Sequence, residues 1–356
     1  MRRLFLSIVC LVFLQTIYAQ EWHSINSKSD DSYSVNLIKS TEEAVSLELT
    51  INGFSTNSVA APRSHSSVII TNEDMAPLSE AGQPNIPSLS IPIIINDMGK
   101  MEVRVSNVEY LEYNDIEIAP SKGDFPRSIN PDDVPYTYGD VYQQNEFFPA
   151  TNVKLDSPYI LRDFRAQNII VTPFAYNPVT KTLRVLHKMT IEVVSKKEEG
   201  ENELARRSNT INMSSEFHKM YSSRFINYKE SNAKYDIIEE EGDLLIICHD
   251  AFMSAMQPFV EWKRATGRKT TMVGTSVAGT SADNIKNYIS SQYEDNPNLT
   301  HVLLVGDKEQ LSGKYLSMGE YSGYSDWWFG QLEGNDRYNE LIIGRFSAES
   351  TSDVTT

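Results

Sequence analysis

Acidic side chains at alternate positions mark one stretch of this chain as a candidate cation site. Asp336, Tyr338 and Glu340 alternate after Gly334, a residue that permits the sharp bend at the start of a loop. Asp307 follows an apolar run, at the place where open α/β sheets hold ligand-binding groups. Ca²⁺ prefers hard oxygen donors, with carboxylates and carbonyls mixed. The spacing allows a calcium loop and also a solvated acidic turn, since acidic loops are common in a chain of net charge −16.

A cysteine and a histidine stand side by side, as Cys248 and His249. A cysteine peptidase needs a thiolate and an imidazole within hydrogen-bond reach. Neighbouring residues of a strand point to opposite faces, so these two side chains cannot form that pair. Cys248 ends an apolar run, which predicts a small core residue. We therefore assign no catalytic residue here.

Two kinds of apolar pattern predict the elements that position these residues. DLLIIC (Asp243–Cys248) and HVLLVGD (His301–Asp307) alternate with helical patterns, which indicates an α/β domain with a parallel sheet. From Gln20 to about Lys197, period-two alternation predicts a β-rich domain, packed as a sandwich or a barrel. The alternating sets are Val45, Leu47, Leu49 and Ile51; Met101, Val103 and Val105; and Met189, Ile191 and Val193.

Composition and the amino-terminal residues limit the class of protein. The net charge of −16 excludes nucleic acid as a natural partner. Residues 1–19 combine two arginines, an apolar run and a final alanine, which predicts a signal peptide, a secreted protein and no transmembrane segment. Residues 195–209 are charged and almost free of large apolar side chains, so we expect a mobile, solvated linker.

Several ordered stretches match the sequence pattern of one family. They are LLIICHDAFMSAMQPFVEWKRATGRK, LTHVLLVGD, GNDRYNE and IGRFSAES, and upstream APSKGDFPR, VPYTYGDVY, FFPA, ILRDFRAQ and YNPVTKTLRV. The first group resembles the start of the catalytic domain of gingipain-type cysteine peptidases, secreted bacterial endopeptidases with a caspase-like α/β fold. The second group resembles their prosegment. The resemblance implies a signal peptide at 1–19, a propeptide domain at 20–234 and the amino-terminal part of a truncated catalytic domain at 235–356.

The resemblance implies calcium as a structural cofactor. In that family a loop of this kind binds the ion. Carried over by position, Asp307, Asp336 and Glu340 would supply side-chain oxygens, and Glu333 and Tyr338 would supply backbone carbonyls.

The resemblance also implies how the prosegment acts. Arg127 stands where the resembling prosegments carry an inhibitory arginine, which occupies the substrate pocket. Cleavage is expected between Lys234 and Tyr235, with Arg224 and Arg206–Arg207 as alternatives, because the resembling zymogens are cut after a basic residue and their mature enzymes begin with tyrosine. The implied partners are the chain's own prosegment, as inhibitor, and protein or peptide substrates.

The function implied by the resemblance is that of a secreted cysteine endopeptidase zymogen. In the family the catalytic histidine precedes a glycine, and the catalytic cysteine follows some tens of residues later. Neither that His-Gly pair nor a second mature cysteine occurs before Thr356, so this segment alone is expected to be inactive. The alternative is a noncatalytic, calcium-stabilised secreted module for binding or secretion. Attachment to the cell surface would require a domain outside this segment.

Overall fold

The computed structural model describes residues 20–72, 74–206, 210–232, 235–318 and 321–355. The predicted signal peptide, Arg207 and Lys234 lie outside the described residues. No helix within these ranges is long and apolar enough to cross a membrane. A β region, up to residue 232, is followed by an α/β region from residue 235, so the predicted fold class is confirmed.

Short strands form most of the β region. Turns of 3₁₀ helix occur at Pro131–Asp133 and Asp140–Gln143, and helices α1 (Ser215–Arg224) and α2 (Tyr228–Asn232) close the region. The strands are β1 (Gln20–Ser24), β2 (Tyr33–Ser40), β3 (Ala44–Ile51), β4 (Gly53–Ala61), β5 (Ser64–Thr71), β6 (Ala76–Pro77), β7 (Pro87–Ile94), β8 (Met101–Tyr113), β9 (Glu117–Ile118), β10 (Val153–Leu155), β11 (Tyr159–Leu161), β12 (Phe164–Val171), β13 (Phe174–Asn177), β14 (Thr182–Ser195) and β15 (Thr210–Met213).

Sheets from all parts of the described β region share one apolar core. The strand orders are β1-β4-β5-β9, β10-β12-β7-β6 with β11 on β12, and β13-β14-β3-β2 with β8 on β14. On β3, Leu47, Leu49 and Ile51 are buried, whereas the residues between them are partly exposed, as the alternation predicts. Antiparallel β14 places Ile191 opposite Leu47, and both side chains enter the same cluster.

The α/β region is built on a parallel sheet with strand order β18-β17-β19-β22. Turns of 3₁₀ helix occur at Asp250–Phe252 and Trp327–Gly330. The elements are β16 (Asp236–Glu239), β17 (Asp243–Cys248), α3 (Met253–Ala265), β18 (Thr270–Gly274), α4 (Thr275–Ala278), α5 (Ala282–Asp295), β19 (Leu299–Val305), β20 (Lys314–Met318), β21 (Tyr321–Ser325), β22 (Ile342–Phe346) and α6 (Thr351–Thr355).

Strand β17 is covered on both faces, which explains its unbroken apolar sequence. On one face, Ile246 and Cys248 pack in a cluster with Val260 of α3. On the other face, Ile247 packs in a cluster with Ile289 of α5. The buried sheet thereby fixes where the loops between its strands emerge.

The prediction of a mobile, solvated linker is wrong for residues 195–206, which are held against the β region. Glu203 accepts a hydrogen bond from the backbone N–H of Gly99 at 2.7 Å. Arg206 forms an ion pair with Asp97. Composition suggested a solvated segment, but charged side chains that find backbone and carboxylate partners are ordered by them.

A parallel two-stranded ribbon connects the two regions. Strand β15 of the β region pairs with β16 of the α/β region, and Ile211 lies opposite Ile237. Ile211 is buried, and Ile237 packs against the same apolar cluster. The chain is therefore paired on both sides of positions 233 and 234.

Candidate functional site

Residues 333–340, here called the acidic loop, lead into β22. Strand β22 runs parallel to β19, with Ile342 beside His301. Because parallel strands begin at the same edge of a sheet, the acidic loop lies at the amino-terminal edge of the sheet. Gly334 has φ +69, in the left-handed region that suits glycine, and it starts the bend that the sequence predicts.

Glu340 is the most deeply buried acid of the acidic loop, with 0% of its surface exposed. Its Oε2 accepts hydrogen bonds from the backbone N–H groups of Leu332 at 2.7 Å and Glu333 at 3.0 Å. Its Oε1 is buried and has no hydrogen-bond partner among the described residues. Burial raises the pKa of Glu340 to about 7, and the charge of Asp336 adds to this rise. A carboxylate buried in this way needs a further positive partner to remain ionised.

Asp336 is held from two directions. Its Oδ1 accepts the backbone N–H of Tyr338 at 2.8 Å, within the acidic loop. Its Oδ2 accepts the backbone N–H of Ile160, from the β region, also at 2.8 Å. Burial raises the pKa of Asp336 above its ordinary value. The structure thus joins this carboxylate to a strand that precedes it by 176 positions.

The donors of the acidic loop suit a hard divalent cation in kind. Asp336 and Glu340 supply carboxylates, and the carbonyls of Glu333 and Tyr338 belong to the same loop. Within the described ranges, no three His, Cys, Asp or Glu side chains lie close enough together to hold a metal. A cation here would therefore depend on backbone carbonyls as well as side chains. The buried, unpartnered Oε1 of Glu340 is the observation that favours one.

The structure does not bring Asp307 to the acidic loop, so the prediction that all five residues form one site is wrong. Val305 pairs with Phe346, and the backbone N–H of Asp307 donates to the carbonyl of Ala348 at 3.0 Å. Asp307 therefore lies at the carboxyl-terminal edge of the sheet. The run from His301 to Asp307 spans about 20 Å at the rise of a strand. The spacing of residues in the sequence does not give the register between strands. That register places Asp307 and the acidic loop at opposite edges of the sheet.

Arg127 lies at the surface of the β region. The backbone N–H of Ile129 donates to the carbonyl of Pro126 at 2.9 Å, which closes a turn with Arg127 inside it. The Arg127 side chain is exposed and has no hydrogen bond or ion pair with any described residue. Gly123, at φ +80, shapes the approach to this turn. The guanidinium is thus free to meet another surface.

Tyr235 is packed by the β region rather than exposed in a linker. The Arg206 guanidinium lies 4.3 Å from the centre of its ring, and the Phe164 ring lies edge-on at 5.8 Å. The Tyr235 hydroxyl donates to Asp97 at 3.4 Å. Lys234, the residue on the other side of the predicted cleavage site, lies outside the described residues.

Cys248 is a buried thiol at the end of β17. Its Sγ donates to the backbone carbonyl of His249 at 3.4 Å. Burial raises the pKa of Cys248 to about 11, so the thiol stays protonated at neutral pH. These properties are those of a core residue and not of an activated nucleophile.

Comparison with known families accounts for both regions. The propeptide model of family C25 matches residues 26–235, and the model of peptidase family C25 matches residues 237–356. This chain belongs to peptidase family C25. The suspected likeness to gingipain-type peptidases with a prosegment is therefore confirmed.

Individual relatives of this C25 chain come from Porphyromonas gingivalis. Gingipain R1 is 36% identical over 329 residues, which make up 91% of this chain and 32% of the relative. Gingipain R2 of strain ATCC BAA-308 / W83 is 37% identical over 284 residues, which make up 78% of this chain and 38% of the relative. The chain thus spans about a third of the length of these curated relatives.

A solved structure matches about half of the C25 chain. It is a chain from the complex of Porphyromonas gingivalis RgpB pro- and mature domains, with 32% identity and a TM-score of 0.51. The match covers 55% of this chain and 97% of that chain. The β-rich architecture is therefore shared with a gingipain pro- or mature-domain chain.

The C25 prosegment contacts the peptidase part through Arg162, a residue that the sequence analysis did not single out. Arg162 lies between β11 and β12 at φ +49, and its side chain is 3% exposed. The only local signal was an Arg-Asp pair inside the apolar stretch ILRDF. Its hydrogen-bond partners begin 135 positions further along the chain, so no local pattern could identify them.

Proposed function

We propose that this chain is the prosegment and the first part of the peptidase unit of a secreted gingipain-type cysteine endopeptidase zymogen. The supporting observation is that a propeptide match is followed directly by a peptidase match, and that the two parts pack together. At their contact the rings of Tyr159 and Tyr338 are stacked, with centroids 3.7 Å apart. A prosegment packed on its peptidase unit is what a zymogen requires.

The nucleophile of such an enzyme is not Cys248. Covalent attack on a peptide bond needs a thiolate activated by an adjacent imidazole. Cys248 is buried, with a pKa raised to about 11, and its thiol is bonded to a backbone carbonyl. We therefore place the nucleophile of the whole protein outside residues 235–355.

The full-length protein tests the proposed activity. We expect it to be inactive before removal of the prosegment and to cleave peptide substrates afterwards. Pretreatment with a thiol-alkylating reagent should abolish that cleavage, and Cys248→Ser should retain it. A processed protein without thiol-dependent cleavage of any peptide in a broad panel would instead support the noncatalytic secreted module.

Arg127 is proposed as the inhibitory residue of the prosegment. Its exposed turn supports this role, because a guanidinium without a partner in its own domain can enter a pocket on another. Arginine presents a rigid fork of donors that matches a carboxylate, a geometry that lysine does not reproduce.

Substitution of Arg127 tests this role when the isolated prosegment is added to the full-length mature peptidase. Arg127→Ala should weaken inhibition by more than about 2 kcal/mol, the usual threshold for a binding hot spot. Arg104→Ala is the matched control, since Arg104 is an exposed arginine on β8. Equal inhibition constants for the two variants would exclude the role.

Calcium is proposed as a structural ion of the acidic loop, held by the Asp336 and Glu340 carboxylates and the Glu333 and Tyr338 carbonyls. When bound, the ion would supply positive charge to the buried carboxylate of Glu340 and the partly buried carboxylate of Asp336, and so stabilise the loop. At about a hundredfold excess over its dissociation constant, linkage gives about 2.7 kcal/mol of stabilisation.

Thermal unfolding with calcium and with a chelator tests this proposal. Asp336→Ala should remove most of the calcium-dependent stabilisation. Asp307→Ala is the matched control, because Asp307 lies at the other edge of the sheet, and it should retain the effect. A melting temperature that calcium does not change would refute the proposal.

Secretion and processing complete the proposed function. We propose export through the signal peptide at residues 1–19 and cleavage between Lys234 and Tyr235. Amino-terminal sequencing of the secreted protein should give a sequence beginning at Tyr235. A start upstream of Ser195 would show that the boundary between the domains is misplaced.

A further inference from the structure

Arg162 fixes the prosegment to the peptidase part through backbone carbonyls. Its guanidinium donates to the carbonyls of Pro297 at 2.6 Å, Leu299 at 2.7 Å and Glu340 at 3.0 Å. These carbonyls immediately precede or begin β19 and β22, at the amino-terminal edge of the sheet. The ring of Tyr293, from α5, lies 5.6 Å from the guanidinium. A buried cation whose hydrogen bonds cross between two domains loses them all when the domains separate.

Strand β11, which precedes Arg162, contacts the acidic loop. The Ile160 N–H donates to Asp336 at 2.8 Å, and the Tyr159 ring is stacked on the Tyr338 ring. Arg224 of α1 donates to the Tyr338 hydroxyl at 3.1 Å. The contact therefore combines backbone, aromatic and charged groups on one short loop.

Apolar burial extends this contact. Tyr235, Ile237, Tyr338 and Ile342 pack against a buried cluster of the prosegment. The buried members of that cluster are Ile94, Tyr159, Leu161, Phe164, Ala166, Ile211, Met213, Phe217, Tyr221, Phe225 and Tyr228. Buried aromatic and arginine side chains, surrounded by contacts that exclude water, are typical of the residues that dominate binding energy.

We propose that the turn between β11 and β12 is a second anchor, which holds the prosegment on the peptidase part independently of Arg127. The proposal rests on the proposed zymogen function. Ligands of open α/β sheets bind at the carboxyl ends of the strands, whereas this anchor occupies the amino-terminal edge. Arg127 lies on a separate exposed turn and shares no partner with Arg162. The anchor keeps a cut prosegment bound even when its inhibitory turn has left the substrate cleft.

The test uses the full-length protein with the site of a sequence-specific protease in place of residues 233–234. After cutting, the dissociation rate of the prosegment from the immobilised peptidase part is measured. Arg162→Ala should raise this rate more than tenfold, whereas Arg104→Ala should leave it unchanged. Tyr338→Leu should raise it as well, and this variant leaves the prosegment sequence intact, so a folding defect of the prosegment cannot explain the result.

Combination with Arg127→Ala decides whether the anchor is independent. Substitutions without shared partners have additive free energies. The fold changes of Arg127→Ala and Arg162→Ala should therefore multiply in the double variant, and the single Arg127→Ala prosegment should still bind. Rates within twofold of the wild type for both Arg162→Ala and Tyr338→Leu would overturn the proposal, as would complete loss of binding in Arg127→Ala alone. Because the readout is binding, it holds even if the full-length protein lacks peptidase activity.

Discussion

Mild acid should destabilise the α/β region through His301. The Nδ1 atom of this histidine lies 2.7 Å from the Thr300 hydroxyl and 3.2 Å from the Arg268 guanidinium. A guanidinium can only donate, so Nδ1 must accept and the ring must be neutral. Burial, and next the charge of Arg268, lower the pKa of His301 to about 4. Arg162 and Lys263 act in the same direction, and Glu216 opposes them.

The sign and size of the effect follow from linkage. The pKa of His301 is 6.5 in its ordinary state and about 4 in the folded protein, so the unfolded chain binds the proton first. The stability is present above pH 6.5 and is lost as the pH falls towards 4. At pH 5 the calculated loss is about 2 kcal/mol.

Glu216, which is bonded to Arg268, titrates at a lower pH than His301. Burial acts against ionisation of Glu216, but the Arg268 guanidinium bonded to it at 2.6 Å lowers its pKa from 4.5 to about 2. Its contribution is present above pH 4.5 and is lost only as the pH falls through that range. Loss of stability between pH 6.5 and pH 5 therefore comes from His301 rather than from Glu216, whereas Glu340, whose pKa is raised to about 7, titrates in the same range with the opposite sign.

Urea unfolding followed by tryptophan fluorescence measures this loss, because Trp262, Trp327 and Trp328 all lie in the α/β region. His301→Asn should gain stability relative to the wild type as the pH falls from 7 to 5, since its amide does not titrate and its oxygen can still accept from Arg268. His187→Asn, on β14, is the control and should leave the dependence intact. A difference in stability between the wild type and His301→Asn that stays constant over this range would refute the reasoning.

Two further substitutions test the structural account by chemical denaturation. Leu47→Ala removes a side chain with 0% exposure from the core of the β region, and it should cost about 3 kcal/mol because a cavity remains. Ser281→Ala removes the side chain that accepts the N–H of Asn284 at the start of α5, and it should cost about 1 kcal/mol. Ser291→Ala, within the same helix, should cost nothing, and an equal loss in both serine variants would refute the capping role.

Local pattern predicted most of the architecture. The alternation through Leu47 and Leu49 predicted an antiparallel strand, because one face of such a strand meets the core. The unbroken run ending at Cys248 predicted a strand covered on both faces. In each case burial acts on consecutive residues, so the information lies within a few positions.

Long-range register was not predictable, and it decided the candidate site. Asp307 and Asp336 look alike as loop acids, yet β19 and β22 run parallel and place them at opposite edges. Arg162 is another example, since its environment is made by backbone carbonyls more than a hundred positions away. Every residue has a backbone carbonyl, so a hydrogen bond to the backbone does not restrict which residue accepts it. No sequence pattern can therefore predict such a bond.

The ribbon of β15 and β16 changes what a cut in the chain can accomplish. Thr210–Met213 precede positions 233–234 and Asp236–Glu239 follow them, and the two strands are hydrogen-bonded as parallel neighbours. While the chain is intact, the short connection holds the two strands at an effective concentration of about a millimolar. After cleavage, their association depends instead on the concentration of the protein in solution. The cut alone therefore breaks no pairing. At high protein concentration the cut chain would stay assembled, and release of the prosegment would follow dilution.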